Sequence, residues 1–224
     1  MKTLRSMMFC FVALLLLSPL LRAEDLSKYR QFSFGMSLTR VLERTDQKIA
    51  DVKVIHGRPA LIQELTWWPP SLPGASFRSD TVEQILLSFY NGALYKISVT
   101  YDQNSTQGLT EADMVNSISA KYGPPANVVF AMDNPKIDPY DAERKPVASW
   151  EDAQYSFKLV RSSFTDRFGL VIYSKQANAE AELAIAEAVK LDKQEGPQRE
   201  ADRQKKQTDD LEAARQKNQK NFRP

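Results

Sequence analysis

The chain has 224 residues, with 30 basic and 28 acidic side chains, one histidine and one cysteine. That composition excludes a disulfide scaffold, a structural zinc centre and any site that needs two histidines. The balanced charge gives no footprint for nucleic acid.

Residues 1–23 read as a secretory signal peptide. Lys2 and Arg5 form the charged start, Phe9 to Leu17 form the apolar stretch, and Pro19 precedes a cut expected after Ala23. The apolar stretch is shorter than the ~20 residues that span a bilayer. The mature chain is therefore expected to be periplasmic or secreted, with no stable membrane insertion. Met7-Met8-Phe9 lacks the small residues that precede a lipidated cysteine. Removing Lys2, Arg5, Arg22 and Cys10 leaves 27 basic against 28 acidic residues, a net charge of −1, and no thiol. Thiol catalysis drops out, and the core alone has to hold the fold together.

A first unit, residues 24–107, is predicted to begin with a helix near Ser37–Thr45. Gly35 and Met36 precede a hydroxyl N-cap, Ser37, and Val41 stands where a hydrophobic staple with Met36 would form. Strands are expected at Asp51–His56 and Ala60–Trp68 around the turn Gly57-Arg58-Pro59, then a loop from Pro69 to Gly74. Val82–Tyr90 and Ala93–Tyr101 flank Asn91-Gly92, a strong hairpin signal. Alternation suggests a three-residue bulged loop that pairs Phe89 with Ala93, placing Ile85, Leu87 and Phe89 on one face with Tyr95, Ile97, Val99 and Tyr101.

A second unit, residues 108–175, repeats the start as Gly108-Leu109-Thr110 and predicts a helix at Glu111–Tyr122. Its buried stripe would be Met114, Val115, Ile118 and Tyr122, with Gly123-Pro124-Pro125 as the stop. Strands are expected at Ala126–Ala131, Val147–Glu151, Gln154–Ser162 and Phe168–Ser174, with an exposed loop over 132–145. Each unit is thus one helix followed by about four antiparallel strands. The repeated start points to duplication, and the layer rule gives an α+β fold.

Residues 176–224 form a tail with 10 basic and 10 acidic residues and one aromatic, Phe222. Ala177 to Glu195 is expected to be helical, with Leu183, Ala184, Ile185, Ala188 and Leu191 as its apolar stripe. Gly196-Pro197 reads as a stop, and the remainder as either a solvated helix or a disordered segment.

Gly35, Met36, Ser37 and Val41, with Gly108, Leu109, Thr110, Met114, Gly123 and Pro125, carry a resemblance to the SmpA/OmlA-like and beta-lactamase-inhibitor-protein-like domains of bacterial envelope and secreted proteins. The resemblance implies helices packed on an antiparallel sheet, and a role in binding protein partners rather than catalysis.

His56 sits beside a turn with no Ser-containing nucleophile motif near it, so a strand-end role is expected. Glu64, Glu83, Asp113, Glu151 and Asp152 supply carboxylates for a hydrolase acting on polysaccharide or peptidoglycan, which is the alternative function. Asp102-x-Asn104-x-Thr106 with Asp113 at the twelfth position is similar to a calcium loop, but Gln107 stands where such a loop needs glycine. No cofactor, metal or catalytic residue is therefore assigned. The best surface candidate is Trp67-Trp68-Pro69-Pro70: adjacent tryptophans in a strand point to opposite faces, so either one faces out to anchor a protein partner in the cell envelope or both cap the sheet core. Trp150 is expected to fill the core of the second unit.

Overall fold

The computed structural model describes residues 25–70, 80–128 and 144–223. The expected signal peptide, the core of the proline-rich loop and most of the loop preceding Val147 lie outside these residues. A small hairpin, β1 (Lys28–Tyr29) and β2 (Phe32–Ser33), precedes helix α1 (Leu38–Thr45). Four strands follow: β3 (Lys53–His56), β4 (Ile62–Trp67), β5 (Val82–Tyr90) and β6 (Ala93–Tyr101). A short helix, α2 (Gln103–Thr106), leads to α3 (Glu111–Tyr122). Then come β7 (Asn127–Val128), β8 (Arg144–Glu151), β9 (Tyr155–Ser162), β10 (Phe168–Ser174) and the long α4 (Lys175–Asn221).

Both helix starts form as the sequence predicts. The Ser37 hydroxyl accepts from the Arg40 amide at 3.4 Å. The Thr110 hydroxyl accepts from the Asp113 amide at 3.2 Å, while the Asp113 carboxylate accepts from the Thr110 amide at 2.8 Å, completing a capping box. Gly35 is glycine for a conformational reason. Its φ is +79°, and that left-handed turn lets its amide donate to the Leu94 carbonyl at 2.8 Å.

The eight longer-range strands make one continuous antiparallel sheet in the order β3-β4-β5-β6-β10-β9-β8-β7. Helices α1 and α3 are each followed by a run of four strands, and among the described residues the two runs pair where β6 meets β10, from Lys96↔Tyr173 to Thr100↔Gly169. One row of side chains crosses seven strands through this seam: Lys53, Glu64, Ser88, Lys96, Tyr173, Ser156 and Glu151.

One face of the sheet carries the core. Leu65, Ile85, Leu87, Phe89, Ile97, Val99, Leu170, Ile172, Phe157, Leu159 and Trp150 are all nearly inaccessible and belong to a single cluster. Val41 of α1, Met114, Ile118 and Tyr122 of α3, and Tyr29 and Phe32 of the hairpin cover them. The hairpin carries too few residues for a period to show in the sequence, yet it closes the bottom of this core. Arg30 in its turn forms a two-pronged pair with Asp80 at 2.6 and 2.7 Å. Desolvation pushes the phenols of Tyr29 and Tyr101 above their ordinary value, and for Tyr101 the neighbouring Tyr29 and Tyr122 add to the effect. A raised folded value means that the neutral phenol is the one the fold accommodates. Stability from these groups is complete below the unfolded value of about 10 and is lost as pH rises beyond it. Urea midpoints are therefore expected to hold between pH 8 and 9.5 and fall steeply above pH 10, with a shallower fall in Tyr101→Phe.

Three expectations need correction. The β5–β6 turn is a two-residue Asn91-Gly92 turn with φ of 49° and 80°, pairing Tyr90 with Ala93. The bulge exists but lies further on, because Phe89 pairs with Leu94 and Ser88 with Lys96. Tyr95 is the extra residue, and it joins a second cluster with Ile62 and Ala181, away from Ile97 and Val99. Secondly, Arg144 and Lys145 belong to β8 rather than to a loop; Pro146 is accommodated at a bulge, the position where a strand tolerates proline.

Thirdly, Gly196-Pro197 does not stop the tail. Helix α4 runs 47 residues without interruption, about 70 Å at 1.5 Å per residue. Its first half lies across the second face of the sheet, where Ala177, Ala181 and Ile185 pack with Ile55, Ile62, Tyr90 and Tyr95. Ala188 is also buried, and Arg58 in the β3–β4 turn pairs with Glu195 at the edge of the body. Leu183, expected in the apolar stripe, is 73% exposed, because the covered side of the helix runs through Asn178 and Ala181 instead. From Pro197 to Arg223 every residue is exposed. No helix among the described residues is long and apolar enough to cross a membrane.

Candidate interaction surface

The two adjacent tryptophans are divided between core and solvent. Trp67 closes β4 opposite Ile85 and packs edge-on against Phe32, with ring centroids 5.5 Å apart and planes at 80°. Trp68, one residue past the strand, is 56% exposed. Pro69 is half-buried and Pro70 exposed, so a rigid backbone carries the indole outward.

Four of the five candidate carboxylates, Asp113, Glu151, Asp152 and Glu83, are engaged by the fold. Asp113 closes the capping box on α3, and the Thr110 donors hold its carboxyl below the usual range. Asp102 caps α2 through the Ser105 amide at 3.0 Å, so the calcium-like spacing folds as a helix start instead of a ligand loop. Glu151 accepts from Lys175 at 2.9 Å, and that ammonium lowers its pKa. Asp152 accepts from the amides of Gln154 and Tyr155 in the β8–β9 turn. Glu83 pairs with Arg167.

Glu64 is the exception in direction. It lies on the second face between Lys53 and Lys96, and partial burial raises its pKa against their opposing influence. His56 ends β3 opposite Ile62, and the Asp192 carboxyl of α4 nearby is held below the usual range by its bond from Arg199. Among the described residues no three His, Cys, Asp or Glu side chains gather as metal ligands.

A second feature was illegible in the sequence. Where β10 leaves the sheet to become α4, the start of β6 turns instead to the segment before α1, with Leu94 donating to the Met36 carbonyl at 2.9 Å. The divergence leaves an open cavity of about 260 Å³. Phe34, Tyr90, Tyr95 and Tyr155 line it with Ala93 and Ala177. Phe34 and Tyr155 stack at 5.4 Å with planes 15° apart, joining the two halves of the molecule. The four rings come from four separate segments, so no motif or period could have announced them.

Fold and surface together define an α+β protein with one eight-stranded antiparallel sheet and a projecting C-terminal helix. Comparison with protein-family models, with curated proteins and with solved structures finds no match.

Proposed function

We propose that this chain is an exported, non-catalytic protein that binds a protein partner in the cell envelope, with Trp68 as its anchor. The observation that carries the reading is the division of the tryptophan pair. A core has room for Trp67, whereas Trp68 keeps more than half its surface in water on a proline-stiffened segment. Exposed tryptophan beside rigid backbone is the common anatomy of an interface anchor. The leader-like residues 1–23 support export, and the structural engagement of Asp113, Glu151, Asp152 and Glu83 leaves Glu64 without a second free carboxylate among the hydrolase candidates. The free half of α4 supplies reach, extending about 40 Å beyond the body at 1.5 Å per residue.

Trp68→Ala is expected to leave the melting temperature within about 2 °C, since a substitution at an exposed site usually changes stability by less than about 0.5 kcal/mol. The same change should reduce at least tenfold the envelope proteins captured by the immobilised chain, relative to wild type and quantified by mass spectrometry. Trp67→Ala should instead lower the melting temperature by several degrees. Unchanged capture by the Trp68 variant would remove the anchor from the proposal.

A further inference from the structure

The aromatic cavity at the β6/β10 divergence is not explained by packing. Across the sheet the main-core residues close on one another to 0–4% exposure, but here Phe34, Tyr90 and Tyr155 remain half-buried around a hollow. The cavity opens to solvent, so its half-buried rings stay accessible to a ligand instead of closing on one another. Alanine stands at two of its walls, positions 93 and 177, where a larger side chain would reach into the hollow. Gly35 adds a third open side, with no atom within 4 Å of where its Cβ would lie.

The lining specifies a ligand class. Among the described residues no charged side chain borders the cavity, so the lining offers no compensation for the desolvation of an ion. The walls are ring faces and edges, which favour a planar ring in stacked or edge-on contact. Tyr90, Tyr155 and Ser174 of the lining carry hydroxyls that can meet one polar group of such a ligand. Size narrows it further: an apolar cavity of ~150 Å³ accommodates benzene, so about 260 Å³ has room for a two-ring system such as indole. We infer that this cavity binds an uncharged planar aromatic group of one or two rings. The site is separate from Trp68 and does not depend on the partner proposed above.

Titration of the full mature chain with indole, followed by two-dimensional NMR, tests the inference. Saturable shifts are expected at Gly35, Leu94, Tyr155 and Ala177, with indole bound at least tenfold more weakly by Ala177→Leu and by Ala93→Leu. Both variants fill the hollow, and the pair guards against one of them failing to fold, which circular dichroism would reveal. Trp68→Ala should bind indole as wild type does. A parallel titration with the peptide Gly-Trp-Gly distinguishes the two sources of such a ring. Equal affinity assigns the site to a protein side chain, and preference for free indole assigns it to a small molecule. No saturable binding up to about 10 mM indole, or binding that survives both filling substitutions, overturns the inference.

Discussion

Trp150→Ala is expected to lower the unfolding free energy by about 3–5 kcal/mol, the range for deleting a large buried aromatic. Trp150 is 2% exposed on β8, directly across from Phe157 on β9. Its indole N–H donates to the carbonyl of Gly123 at 2.9 Å. That carbonyl belongs to the C-cap of α3, one of the acceptors a helix end leaves without an internal partner. Alanine therefore opens a cavity under α3 and also orphans its last turn, a second penalty of about 1–3 kcal/mol that overlaps with the first. Trp150→Phe separates the two by keeping most of the ring volume and losing only the bond, so it should cost about 1–3 kcal/mol. Urea denaturation of the three proteins checks the order. A loss under 1 kcal/mol for the alanine variant would mean that α3 is not held to the sheet through this residue.

The contrast between Trp150 and Trp68 shows what the sequence could and could not reveal. Trp150 follows a run of apolar and small residues, Val147-Ala148-Ser149, and both its strand and its burial were legible. Trp67 and Trp68 share a dipeptide, so alternation could say that they part company but not which one the core would take. Phe32 decides it by offering Trp67 a ring edge, and Phe32 lies in a hairpin of two-residue strands too short to carry a period.

The β5–β6 hairpin failed for a related reason. A period of two detects that one residue is extra, because the faces otherwise mix, but it cannot say where the extra residue sits. The bulge falls at Tyr95 because Leu94 is bonded to Gly35 and Met36 on its other side, a long-range pairing that no local pattern encodes. At Gly196-Pro197 the local rule was sound but weaker than its surroundings. Proline removes one backbone bond from the helix, yet that stretch is bathed in water, which satisfies the freed carbonyl. Strong helix formers on both sides carry the helix through. The aromatic cavity lay beyond any such rule, since it exists only where the two halves of the sheet diverge.

The seam between those halves makes the most specific demand on a single residue. Gly169 on β10 pairs with Thr100 on β6 and Val160 on β9. A Cβ added there would lie 2.8 Å from the Val99 carbonyl oxygen and 3.4 Å from a Val160 methyl. The valine methyl can turn away, but the carbonyl belongs to the backbone of the strand that joins one half-sheet to the other. Gly169→Ala must therefore push β6 and β10 apart at the end of their shared ladder, a change expected to cost about 1–3 kcal/mol. For a domain of this size that corresponds to roughly 2–4 °C in melting temperature per kcal/mol. The residue has no positive φ, so the cost is steric alone, and this separates the variant from an ordinary glycine replacement. Gly196→Ala, in the middle of α4 with nothing within 4 Å, provides the comparison. It should add helical content without moving the main transition, because the core does not rest on that half of α4. If Gly169→Ala unfolds at the wild-type urea concentration, β6 and β10 are not in close register at Thr100, and the two half-sheets are joined more loosely than the ladder from Lys96 to Thr100 implies.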